Sequence, residues 1–165
     1  MNYFEIFSIQ PSLDFNPNEL RKKYIQLSKE YHPDFSNAQE NQSKLAAVEH
    51  FALINKAYQT LSAMDSRINY LLELNQLIQK DEKFQLPMEF LSEMMELNEA
   101  IQEAEKIDDK ELCKSMILNL QSELNNELDH LKRIDPLHYD LPFFEKLKLY
   151  YYKNKYLNRL IEGLE

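Results

Sequence analysis

His32, Pro33 and Asp34 stand side by side in the string SKEYHPDFSN, directly after a segment that reads as an amphipathic helix. An imidazole can donate, accept or carry charge near neutral pH, a carboxylate accepts charge-assisted hydrogen bonds, and a proline between them removes backbone freedom. Taken alone, the three residues read most simply as a helix stop. Pro33 ends the helix, Asp34 opens a polar turn, and His32 is an exposed terminal residue. The helix before them argues for more. At about 100° per residue, Arg21, Lys22, Ile25 and Lys29 fall on an arc roughly 100° wide, away from the apolar row Leu20, Tyr24, Leu27 and Tyr31. A basic face leads directly to the tripeptide.

A second constellation lies in FLSEMMELNEAIQE and its flanks. On a helical wheel Phe90, Met94, Leu97, Ile101 and Ala104 share one face, the expected core. Glu89, Glu93, Glu96, Glu99 and Glu103 occupy an opposite arc about 120° wide, and Leu91 and Met95 lie one turn apart off the core row. A run of glutamates alone reads as a solvated face. The apolar pair beside it turns the reading toward a binding patch, in which apolar contacts give affinity and an acidic rim selects a basic partner.

Other chemistries find little support. His32, His50, His130 and His138 form no i,i+4 pair and have no cysteine or aspartate cluster at ligand spacing, so no resident metal or cofactor is expected. Cys113 is the only cysteine, which excludes an internal disulfide and fits a reducing compartment. No glycine-rich phosphate loop, nucleophile elbow or oxyanion turn is present, so the chain is not expected to be an enzyme. A net charge of -9 argues against general nucleic-acid binding. That charge is uneven: residues 1–75 carry 7 basic and 9 acidic side chains, and residues 76–165 carry 12 and 19. The two halves are expected to meet different partners.

The elements that must position these groups are helices. With Gly163 the only glycine and 44% hydrophobic residues, the 165-residue chain can build a core but lacks the turn glycines of a sheet protein, so the expected class is all-α. A short helix is expected over 3–8, and a second from Asn16 or Pro17 to about His32, followed by a loop over 33–39. A third helix is expected over 40–61, with Leu45, Val48, Phe51, Ala52, Leu53, Ile54, Ala57, Tyr58 and Leu61 as its apolar content. Met64, Asp65 and Ser66 are expected to cap a fourth, running to Leu74. The polar stretch 76–86 reads as a linker. Helical blocks near 87–106, 109–134 and 141–163 then suit a three-helix bundle. No basic leader or apolar run of about 20 residues is visible, so a soluble, cytoplasmic protein without a membrane partner is expected.

The order of short helix, basic helix, His-Pro-Asp loop and long helix resembles the J-domain, the module by which co-chaperones activate ATPase chaperones of the DnaK class. NYFEIFSI, ELRKKYIQLSKEYHPD and FALINKAYQTLSAMDSRINYLLEL carry the likeness over residues 1–75. It implies that His32, Pro33 and Asp34 contact the chaperone, supported by Arg21, Lys22, Ile25 and Lys29. Pro33 would present the imidazole and carboxylate at a loop tip, where Asp34 competes for an arginine or backbone donor of the partner. Phe35 follows where many J-domains carry a basic residue.

With FLSEMMELNEAIQE behind such a domain, the chain resembles the HscB family of iron–sulfur co-chaperones over essentially its whole length. The likeness implies a J-domain over 1–75, a linker over 76–86 and a three-helix domain over 87–165 that holds an IscU-type scaffold protein, with HscA or a DnaK-class chaperone as the other partner. It also implies Leu91, Ser92, Met95, Glu96, Glu99 and Glu103 as scaffold contacts, with Ser92 standing where an apolar residue is common. A further contact from the last helix falls on Leu149 or Tyr150 in KLKLYYYKNKY. The competing function is a general J-protein that delivers unfolded clients, against which the missing Gly/Phe-rich linker and cysteine repeats count. A purely structural helical protein leaves the basic face and the tripeptide unexplained.

Overall fold

The computed structural model describes residues 1–32, 41–79, 82–104 and 107–163, and among these it contains seven α-helices, one 3-10 turn and no strand. The chain divides into two compact units, Met1–Gln76 and Leu77–Glu165.

In the first unit α1 (Tyr3–Ile6) starts at a capping box: the Glu5 amide donates to the Asn2 side chain, and the Asn2 amide donates back to the Glu5 carboxylate, both at 2.9 Å. It stops short of the expected residue 8 because Ser8 has φ 50°, a left-handed conformation that no α-helix continues through. Helix α2 (Pro17–Glu30) takes Asn16 as N-cap and Pro17 as its first residue, so both expected start signals are used. It ends with the Tyr31 amide donating to the Leu27 carbonyl at 2.9 Å. The expected loop over 33–39 lies outside the described residues.

Helix α3 (Asn41–Ser62) runs antiparallel to α2, since Tyr24 stacks on Tyr58 at 4.0 Å while Tyr31 meets His50 at 5.4 Å. Only part of its apolar content is core. Ile54, Ala57 and Leu61 are buried at helical spacing, whereas Leu45 (61% exposed), Val48 and Leu53 face outward. Helix α4 (Met64–Leu74) has Ala63 at its N-cap with no side-chain hydrogen bond there; the expected capping by Met64, Asp65 and Ser66 does not occur. The Ser66 hydroxyl donates instead to the Thr60 carbonyl at 2.8 Å. Arg67 does the joining. Its guanidinium is buried, donates to the Leu61 and Leu13 carbonyls at 2.8 and 2.7 Å, and lies 4.1 Å from the Phe15 ring centre. Burial lowers its pKa and the Asp14 charge opposes this. Phe4, Phe7, Leu13, Leu20, Ile68, Leu71 and Leu72 complete this core.

Gln76, at φ 58°, turns the chain out of α4 at the boundary between the units. With one glycine in the sequence, left-handed turns among the described residues fall to Ser8 and Gln76, while Gly163 itself is right-handed.

The second unit holds α5 (Met88–Glu103), α6 (Ile107–Lys132) and α7 (Leu141–Glu162), with a 3-10 turn at Pro136–His138 before α7. Asp140 caps α7 by accepting from the Phe143 amide at 2.9 Å. Helices α6 and α7 are antiparallel: Gln121 donates to Asn158 at 3.0 Å, and Leu131 lines a groove with Leu149. Phe90, Met94 and Leu97 of α5 meet Cys113, Ile117 and Leu124 of α6 and Leu147, Tyr150 and Leu157 of α7 in the core. At 1.5 Å per residue α5 is about 24 Å long and α6 about 39 Å, so α5 covers only part of the α6–α7 pair.

The stretch expected as linker, 76–86, is packed where it is described. Lys148 binds the Glu82 carboxylate at 2.6 Å, the Tyr152 hydroxyl donates to the same carboxylate at 3.3 Å, and Phe84 stacks on Tyr152 at 4.5 Å. From Leu77 on, the segment belongs to the C-terminal unit.

Candidate docking surfaces

On the first unit, α2 presents Arg21, Lys22, Ile25 (43% exposed) and Lys29 to solvent, as its wheel requires. Lys23 is turned aside by a bond from its ammonium to the Ser8 carbonyl at 2.9 Å, which leaves the four expected residues as a continuous face. His32 lies two residues beyond the helix. It is half-buried, with its ring edge-on to Phe51 at 5.4 Å and 73°, so the exposed terminal histidine of the simplest sequence reading is corrected. Pro33, Asp34 and Phe35 lie outside the described residues.

On the second unit, α5 exposes Ser92, Met95 (63%), Glu96, Glu99 and Glu103, while Leu91 is half-buried. Its inward row is Phe90, Met94 and Leu97; Ile101 and Ala104 are half-buried at the end of that row. Helix α7 borders it through residues the sequence did not single out. The Lys153 ammonium lies 5.5 Å from the Phe90 ring centre, Tyr156 meets Phe90 edge-on at 6.0 Å, and Asn98 donates to the Tyr156 hydroxyl at 3.3 Å. The available signal was the 4,3 spacing of Leu149, Lys153 and Tyr156, which sets them on one row of α7.

That row separates the two candidates from the last helix. Leu149 is half-buried and lies on it, one turn from Lys153. Tyr150 is 3% exposed, because it continues the buried row of Phe143, Leu147 and Leu157; as a surface contact it is corrected. Tyr151 and Tyr152 are half-buried, with Tyr152 committed to Phe84 and Glu82. The Glu82 carboxyl is held below its usual range, chiefly by the hydrogen bond from Lys148. The Tyr152 phenol is pushed up to about 12, first by burial and then by the Glu82 charge.

Two surface grooves flank α6. One of about 350 Å³ lies between α5 and α6, and another of about 470 Å³ lies between α6 and α7. Among the described residues, no group of three or more His, Cys, Asp or Glu side chains could hold a metal, and no helix is long and apolar enough to cross a membrane.

Known proteins with these features agree with one another. A family model of the DnaJ domain matches residues 2–70, and a model described as the HSCB C-terminal oligomerisation domain matches residues 86–165. The co-chaperone protein HscB homologue of Shewanella pealeana is 36% identical over 166 residues, covering 90% of this chain and 93% of that protein. The homologue of Pseudoalteromonas atlantica is 37% identical over 136 residues, covering 81% and 74%. The crystal structure of human co-chaperone HscB superposes with a TM-score of 0.77 at 28% identity, over 99% of this chain and 80% of that one. HscB from Vibrio cholerae gives 0.70 at 26%, over 99% and 95%. A DnaJ domain followed by an HscB-type C-terminal domain is thus the plan that the matches support, and this chain belongs to the HscB family of co-chaperones.

Proposed function

We propose that this co-chaperone binds an IscU-type iron–sulfur scaffold on its C-terminal unit and brings it to an HscA- or DnaK-class chaperone, whose ATP hydrolysis its J-domain stimulates. The chain itself breaks no bond. The observation that carries this reading is the exposure of Met95 beside Glu96, Glu99 and Glu103, with Leu91 half-buried at the edge of the same face. Apolar anchors inside a charged rim suit one folded, basic partner better than assorted unfolded chains. On the other unit, an exposed cationic face on α2 leads to His32, as a site for an acidic chaperone surface requires. Pro33 and Asp34 complete that contact, and Ser92 and Leu149 widen the scaffold site. Clusters are cargo of the scaffold.

Chaperone turnover tests the proposal. His32→Gln is expected to keep wild-type helicity, to lose at most about 1 kcal/mol through its edge contact with Phe51, and to abolish stimulation of ATP hydrolysis. Stimulation at the wild-type level by the folded variant contradicts the assignment.

A further inference from the structure

The face of α5 alone is small. A helix about 24 Å long and about 10 Å wide offers roughly 240 Å², well short of the ~800 Å² per partner in a standard stable interface, even on a corrugated surface. The scaffold docking proposed above therefore needs neighbouring surface, and the grooves beside α6 supply it.

Glu123 lines both of them. In the α5–α6 groove it stands with Glu93 and Glu96 over a floor of Leu97, Met116 and Leu120. In the α6–α7 groove it stands with Glu127 at the rim, over Leu131, Ile134 and Leu149. The second groove exists because α5 is about ten residues shorter than α6. The two grooves thus adjoin at Glu123 along one face of α6, a trough with apolar side chains in the lining of each part and Leu149 at its far side.

The charge of the trough specifies its occupant. Glu93, Glu96, Glu123 and Glu127 make no ion pair among the described residues, and Lys146 is the one cationic side chain lining the two grooves, at the far end. Like charges gathered from two helices around an apolar floor repel one another until a cation enters. We propose that the trough centred on Glu123 is a second docking element, which receives a segment of the same scaffold carrying lysine or arginine beside aliphatic side chains. This inference rests on the scaffold-binding reading and extends it from α5 onto α6 and α7.

Glu123 is exposed, so its replacement leaves the fold intact. Calorimetric titration of the full chain with a purified IscU-type scaffold is expected to show at least a tenfold loss of affinity for Glu123→Lys. Glu123→Gln should give a smaller loss and a flatter salt dependence, with unchanged melting curves for both. Wild-type affinity in Glu123→Lys, with binding still lost on replacing Leu91 and Met95 by alanine, overturns the trough while sparing the α5 site. Absence of scaffold binding by the wild-type chain overturns both. A scaffold-free dimer dispersed by Glu123→Lys assigns the trough to a second copy of this chain and also overturns the proposal.

Discussion

Arg67 brings a charge into the N-terminal unit, where it holds the loop before α2 to the last turn of α3 through two carbonyls and the Phe15 ring. Replacing it with methionine keeps much of the aliphatic stem but removes both donors. Loss of charged hydrogen bonds at buried carbonyls is expected to cost about 2–4 kcal/mol. The transition of the N-terminal unit should then melt lower, by about 4–8 °C per kcal/mol for a unit of this size. An unchanged midpoint contradicts the joining role. Nothing local in SRINYLL marks this arginine as buried, because its partners Leu13 and Leu61 come together only in the folded unit. The partial burial of His32 was equally illegible, since Phe51 reaches it from across the α2–α3 pair. The exposure of Arg21, Lys22, Ile25 and Lys29, by contrast, follows from spacing alone.

At the scale of elements, periodicity sufficed where a helix has one clear inward row. Phe90, Met94 and Leu97 are such a row, and Glu96, Glu99 and Glu103 face away from it. Helix α7 has no such clarity: four tyrosines, four lysines and two leucines are interspersed in KLKLYYYKNKY, and only the burial of Tyr150 in the core leaves Leu149 as the surface candidate. The segment before α5 read as a linker because its partners are distant in sequence, with Glu82 paired to Lys148 and Phe84 to Tyr152. Lys148→Met is expected to release it, seen as faster amide exchange at Phe84 and Gln85. The sign with pH follows from the lowered Glu82 pKa. Its contribution is complete above the unfolded value of about 4.3 and is lost as pH falls through the lower folded value. An NMR titration should place the Glu82 midpoint below about 4.3 in the wild type and move it upward in Lys148→Met. Equal midpoints would show that the pair does not hold the segment.

For the whole molecule, a J-domain with a cationic α2 face and an acidic helical unit share one chain, the charge division on which the proposal of two partners rests. The class, the helix order and the two halves were legible from glycine scarcity, apolar spacing and the uneven charge. The α6–α7 groove was not, because it arises from the unequal lengths of packed helices. The central claim is that α5 anchors the scaffold, and its most direct test is calorimetric titration of the full chain against the Leu91→Ala/Met95→Ala variant. Met95 is exposed and Leu91 half-buried, so the variant should lose only about 1 kcal/mol of stability, well below the ~2–5 kcal/mol for truncating a buried side chain. Scaffold affinity should fall by about 30-fold or more, the equivalent of roughly 2 kcal/mol for lost interface anchors, while chaperone stimulation without scaffold persists. Wild-type scaffold affinity in a variant that melts normally would contradict the account.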